Sequence, residues 1–126
     1  MKMVIGGACQ GKKSYAQRLY PGISWCDGAE CTTEELLSCQ GVYGFEQFIR
    51  RWLAENRDRQ PGELAEAIIA ANPGLIVVTA EIGYGLVPVD AFDRYYREAV
   101  GRICTELAGF SERVDRVLCG IGTRIK

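Results

Sequence analysis

The sequence predicts an α/β protein with a mostly parallel β-sheet flanked by helices. Three observations lead there. A short apolar run, Met3-Val4-Ile5, enters a glycine-rich loop, Gly6-Gly7-Ala8-Cys9-Gln10-Gly11. Leu75-Ile76-Val77-Val78-Thr79-Ala80 is nearly continuous and β-branched, as expected of a central strand buried on both faces. Segments with helical spacing alternate with the strand-like runs, which is the pattern of parallel strands joined by crossover helices. In such sheets ligands sit at the carboxyl ends of the strands.

The first loop carries the strongest chemical signal. Gly6, four residues, Gly11 and Lys12 have the spacing of a phosphate-binding P-loop, and predict a P-loop NTPase-like domain over residues 1–126. Glycines let backbone N–H groups turn inward around phosphate oxygens. The lysine adds a point charge, and the following helix presents its positive end. Gly6, Gly7, Ala8, Gln10, Gly11, Lys12, Lys13 and Ser14 are therefore the expected nucleotide-binding residues. The motif's last position departs from the pattern. A Mg²⁺-binding Ser or Thr is expected after the lysine, and Lys13 stands there, with Ser14 one residue later. One residue along a helix turns a side chain by about 100°, so Ser14 is a poor substitute. A glycine-rich turn joining strand to helix is the bland alternative.

The remaining elements follow in order. Residues 2–5 form the first strand, and a helix runs from the loop to about residue 19, ended by Pro21-Gly22. Ile23-Ser24-Trp25-Cys26 is strand-compatible and closes on Asp27-Gly28. Thr32-Thr33-Glu34-Glu35 starts a helix with a capping-box character. Gly41 and Gly44 bracket a break. Phe45, Phe48, Ile49, Trp52 and Leu53 recur at helical spacing up to about Arg57. Residues 58–62 form a surface turn, and Glu63 to Ala71 is an alanine-rich helix stopped by Asn72-Pro73-Gly74. After the central strand, Ile82 to Pro88 is a loop with Gly83 and Gly85. Asp90 to about Leu107 is a long helix, Val114 to Cys119 a last strand, and Gly120-Ile121-Gly122 opens the ending.

Composition excludes several classes. With 126 residues, one domain is expected. A net charge of −1 leaves no general basic surface for nucleic acid. No apolar run is long enough to span a bilayer or to serve as a signal peptide, which points to a cytoplasmic protein. The six cysteines lack zinc-knuckle spacing and are expected as free, mostly buried thiols. The 126 residues contain no histidine. That removes Ser–His and Cys–His pairs, histidine metal sites and covalent histidine intermediates. Proton transfer falls to carboxylates, lysine, tyrosine, cysteine or water.

Two blocks coincide in this order: Gly6-Gly7-Ala8…Gly11-Lys12, then Glu81-Ile82-Gly83-Tyr84-Gly85-Leu86-Val87-Pro88. Arg97-Glu98-Ala99-Val100-Gly101-Arg102 and the ending Cys119-Gly120-Ile121-Gly122-Thr123-Arg124-Ile125-Lys126 follow. Together they resemble the bifunctional adenosylcobinamide kinase/adenosylcobinamide-phosphate guanylyltransferase family of cobalamin biosynthesis, over residues 1–20 and about 74–126. The resemblance implies a P-loop sheet that binds ATP or GTP; Mg²⁺ is the metal that the loop motif calls for. It implies phosphorylation of a cobinamide hydroxyl and then GMP transfer, and it implies a homo-oligomer. In the family, GMP transfer passes through a histidine, and that route is closed to a chain without one.

Candidate residues follow from position and motif. Lys12 is the phosphate-binding and catalytic lysine. Lys13 adds charge to the phosphates or points outward. Glu81, at the end of the buried strand, holds Mg²⁺ through water or accepts the acceptor's hydroxyl proton. Asp27 occupies a similar strand-end position. Arg97 and Arg102, five apart on the last long helix, are possible substrate or phosphate contacts. Phe92, Tyr95 and Tyr96 read as core and interface. The leading function is kinase-type phosphoryl transfer to a corrinoid side-chain hydroxyl. A non-catalytic nucleotide or corrinoid binder is the alternative, favoured by Lys13, and an interaction subunit is the third reading.

Overall fold

The structure is a computed structural model that describes residues 1–82 and 89–126. The expected loop at 83–88 lies outside the described residues. Strand β1 (Lys2–Gly6) leads through the glycine loop into helix α1 (Lys12–Leu19). Strand β2 (Trp25–Asp27), the one-turn helix α2 (Thr33–Leu36) and strand β3 (Gly41–Tyr43) follow. Helices α3 (Phe45–Glu55) and α4 (Pro61–Ala71) precede the central strand β4 (Ile76–Ala80). Helix α5 (Ala91–Phe110) then leads to the hairpin of β5 (Arg113–Leu118) and β6 (Ile121–Arg124).

The six strands form one sheet in the order β2-β3-β4-β1-β5-β6. Every neighbouring pair is parallel except β5 with β6. This is the mostly parallel, helix-flanked α/β sheet expected. Chain order and sheet order together fix where a ligand crevice opens. The connection leaving β1 runs to β2 at one side of the sheet. The connection leaving the adjacent β4 runs to β5 at the other. Such a reversal between neighbouring strands leaves a crevice at their carboxyl ends.

The sheet is covered on both faces. The larger apolar cluster packs α3, α4 and α5 through Phe45, Ile49, Leu53, Leu64, Ile68, Ile103 and Leu107 onto Met3, Val77 and Val114. Burying one such aliphatic side chain is worth about 1.5–3 kcal/mol. The smaller cluster seats Ala16 of α1 on Val4, Val78 and Val117. Odd and even residues of β1 and β4 thus point to opposite faces, which is why these strands read as continuous apolar runs. Asp115 of β5 is fully buried and forms a two-pronged pair with Arg113 (Nε–Oδ2 2.8 Å, Nη2–Oδ1 3.1 Å). It also accepts from the Tyr15 hydroxyl at 3.0 Å, tying α1 to the sheet.

Several sequence expectations change in detail. The stretch from Gly41, expected as a break, is the strand β3. Its Gly41 lies against Trp25, whose ring would stand 2.7 Å from an added Cβ, so the missing side chain allows the pairing. The ending after Cys119 is not only a turn: it forms β6. Cys119 and Gly120 both take positive φ (51° and 76°), the geometry that reverses an antiparallel hairpin in two residues. The cysteines are all free, but only Cys31 is buried; Cys9 and Cys119 are exposed. Both lie on tight turns with φ of 59° and 51°, so neither belongs to an apolar face. Cys104 fits the expected inert thiol: burial pushes it up to about 12.

Candidate functional site

The loop between β1 and α1 is shaped by two glycines. A Cβ on Gly6 would stand 2.5 Å from the Val117 carbonyl oxygen and 3.3 Å from Lys12 Cγ, so its absence makes room for the lysine stem. Gly11 has φ 85° and caps α1 without a side chain, with Gly120 Cα 3.2 Å from where its Cβ would be. Gln10 fastens the loop to the β5–β6 turn. Its backbone oxygen accepts from Gly120 N at 2.8 Å and its Oε1 from Cys119 N at 2.6 Å. The first bond within α1 runs from Tyr15 N to Gly11 O at 3.0 Å. The N–H groups of the preceding helical residues point out of the helix start, where the macrodipole is positive.

These groups border a cleft of about 230 Å³ at the carboxyl end of the sheet. Cys9, Gln10, Gly11, Lys12, Lys13 and Ser14 form one wall, and Tyr43, Gly44, Glu46 and Val78 the other. Lys12 Nζ donates to Gly7 O at 2.7 Å, so its side chain arches over the loop. Lys13 Nζ lies 3.8 Å from the centroid of the Tyr43 ring, a cation–π contact across the cleft. A second cavity, of about 320 Å³, lies between α2 and α3. Its arginine, Arg51, is bonded to the carbonyls of Gly28 (3.0 Å) and Cys31 (2.9 Å), which makes it a structural brace.

The other sequence candidates are not among the described residues that line the cleft, although Asp27 borders its far wall, pairing with Tyr43 and placing Oδ1 3.8 Å from where a Cβ on Gly44 would be. Glu81 is paired through both oxygens with Arg116 (Nε–Oε1 2.9 Å, Nη2–Oε2 3.1 Å) and is not among the described residues that line the cleft. Its backbone N–H donates to Gly6 O at 2.8 Å, so the residue extends the β1–β4 pairing by one bond. Asp27 accepts from Ala29 N at 2.9 Å and shapes the turn after β2. Arg97 and Arg102 lie on α5; Arg102 reaches Glu106 at 3.9 Å, one helical turn on.

The far wall also carries a carboxylate that no sequence motif marks. Glu46, in the first turn of α3, lines the cleft. Its Oε2 accepts from Ala80 N at 3.0 Å and from the buried Thr79 hydroxyl at 3.4 Å. The available signal was a carboxylate on the first helical turn after a strand and a glycine, where acidic groups favour the helix. Tyr96 donates to the Glu46 carbonyl at 2.9 Å, and burial followed by the nearby Glu46 charge pushes its hydroxyl up to about 12.

The model of the family described as cobinamide kinase / cobinamide phosphate guanyltransferase matches residues 29–125. The chain belongs to this family. The matched range includes the middle of the chain, between about 29 and 73, which the sequence resemblance had left out. It does not include the phosphate loop, so the loop stands on its own geometry. The bifunctional adenosylcobalamin biosynthesis protein CobU of Salmonella typhimurium is 30% identical over 101 residues, covering 77% of this chain and 56% of that protein. The protein of the same name from Escherichia coli is 29% identical over 101 residues, with the same coverage. The chain thus spans a little over half the length of these family relatives. Among the described residues no helix is long and apolar enough to cross a membrane.

Proposed function

We propose that the cleft between the glycine loop and β4 holds the phosphates of ATP or GTP, and that the chain transfers a phosphoryl group from the nucleotide to a cobinamide hydroxyl. The observation that carries this reading is Lys12 arched over a glycine loop at the helix start, at the crevice between β1 and β4. On nucleotide arrival Lys12 exchanges the Gly7 carbonyl for phosphate oxygens. Each such charge-assisted bond contributes about 1.5–3 kcal/mol. The loop N–H groups and the α1 dipole neutralise the remaining charge. Phosphoryl transfer asks little else of a protein beyond position and charge stabilisation. Family membership supports the cobinamide acceptor, as a proposal for this chain.

The residues fit a divalent cation of modest demand. Mg²⁺ binds through one or two carboxylates, phosphates and retained waters. The cleft offers the Glu46 carboxylate. Held there, the ion would supply positive charge that offsets the phosphate charge as it develops. A second reading has its own observation. Lys13 stands where the motif has a hydroxyl, and its ammonium lies in the cleft wall on Tyr43. That arrangement also suits a non-catalytic protein that holds an anion without metal.

Cys9 gives a direct test, because it is exposed and lines the cleft, whereas Cys119 is exposed outside it. Iodoacetamide labelling followed by peptide mass spectrometry should show ATP slowing the alkylation of Cys9. The expected factor is 1 + [ATP]/Kd, about tenfold when ATP stands near ten times its Kd. Cys119 serves as the internal reference and keeps its rate. Equal Cys9 rates with and without saturating ATP and GTP would contradict a nucleotide in this cleft.

A further inference from the structure

We infer that Glu46 is the carboxylate that anchors the nucleotide's divalent cation in this cleft, a role that rests on the nucleotide reading above. The loop motif cannot fill that role through α1 in the usual way, because Lys13 occupies the hydroxyl position and Ser14 is turned by about 100° from it. The protein-side ligand must come from the facing wall. Glu46 is the carboxylate that lines that wall; Asp27, beside Gly44, is outside the lining and its Oδ1 is taken by Ala29 N at 2.9 Å. One of its oxygens is fixed and the other is not. Oε2 is held by Ala80 N and Thr79 Oγ1, at 3.0 and 3.4 Å. Ala80 pairs with Gly6, the last residue of β1 before the loop, so the carboxylate is registered against the phosphate site by the sheet itself. Oε1 forms no hydrogen bond or ion pair among the described residues. Of the cations near it in the fold, Lys13 across the cleft rests on Tyr43, and Arg50, one helical turn on, pairs with Asp93 at 3.0 Å.

Charge decides what such a group does. A carboxylate beside phosphate oxygens repels them through a few ångströms of partly desolvated space. It therefore weakens nucleotide binding when no cation is present and strengthens it when one is. A carboxylate with only a structural role, pinning α3 to β4, has no such dependence on metal. Glu81, the carboxylate favoured by the sequence, is spoken for at both oxygens by Arg116. The backbone around Glu46 is braced by Tyr96, so the anchor is held in place before ligand arrives.

The test is calorimetric titration with ATP, in EDTA and in excess Mg²⁺, of the intact chain and of Glu46→Gln. The glutamine keeps an acceptor for Ala80 N, and its melting temperature checks that the fold is retained. In the unaltered chain Mg²⁺ should tighten ATP by about tenfold or more, a coupling ordinary for two interacting ligands. In Glu46→Gln the metal-free affinity should stay or rise, and the effect of Mg²⁺ should shrink to about twofold or less. Glu46→Asp, which keeps the charge but shortens the reach, should give an intermediate coupling and decides the matter if the glutamine variant does not fold. An unchanged Mg²⁺ effect in either variant overturns the assignment while leaving the nucleotide site standing. So does ATP binding that ignores Mg²⁺ in the unaltered chain. Absence of ATP binding under both conditions would overturn the nucleotide reading together with it.

Discussion

Glu81 and Glu46 are two carboxylates at the carboxyl ends of the central strands with opposite surroundings. Glu81 is only 12% exposed and is clamped by the Arg116 guanidinium, itself 40% exposed. A two-pronged pair of this kind orients both partners and lies between the exposed and buried limits of ion-pair energetics. Glu81→Gln should therefore cost about 1 kcal/mol of stability. The corresponding fall in melting temperature is about 3–6 °C. ATP affinity should stay within about twofold, since the residue does not line the cleft. Thermal denaturation and titration of the same variant check both halves. A melting temperature unchanged beside a large loss of nucleotide affinity would return Glu81 to the site. Position in the chain cannot distinguish the two carboxylates, because the partner that occupies Glu81 is 35 residues away on β5. The same distance effect hid Glu46. Its apolar neighbours Phe45, Phe48 and Ile49 identify a core-facing helix, and the polar residue between them reads as solvated until α3 is placed against β4.

At the level of elements, the loop, the start of α1 and the β5–β6 turn behave as one unit. Gln10 bonds to both Cys119 and Gly120, and Gly11 lies against Gly120. Gly11→Ala would hold a Cβ at φ 85° and press it on the Gly120 backbone. The strain should cost about 1–3 kcal/mol, and relieving it would swing the helix start away from the cleft. We expect a lower melting temperature together with at least about tenfold weaker ATP binding, equivalent to about 1.4 kcal/mol. Loss of stability with unaltered affinity would show that the loop is a turn and nothing more. Elements whose identity is local were legible in the sequence. The β-branched run of β4 and the apolar stripes of α3 and α5 specify themselves by composition and period. Strands β3 and β6 were not. Each is short, and each owes its extended form to partners elsewhere: β3 to β2 and β4, β6 to β5 through a turn with two positive φ residues. Glycines that read as punctuation in one dimension are close-contact positions in three.

On the scale of the whole molecule, one sheet reversal, between β1 and β4, brings the glycine loop, Lys12, Lys13 and the fixed Glu46 carboxylate to a single cleft. The P-loop spacing and the α/β class were visible in the residue order. The facing wall of Tyr43, Gly44 and Glu46 was not, because it is assembled by strand order 2-3-4-1 and that order is a tertiary fact. Family membership rests on residues 29–125 and the loop on its own geometry, so the two lines of support are independent. The most direct test joins them at a single side chain. Calorimetric titration of ATP and GTP into the unaltered chain and into Lys12→Ala should show saturable binding in the first, and binding weakened by about tenfold or more in the second, as expected for the loss of one charge-assisted phosphate contact. Equal affinities for the two proteins, or no binding of either nucleotide by the unaltered chain, would contradict the account.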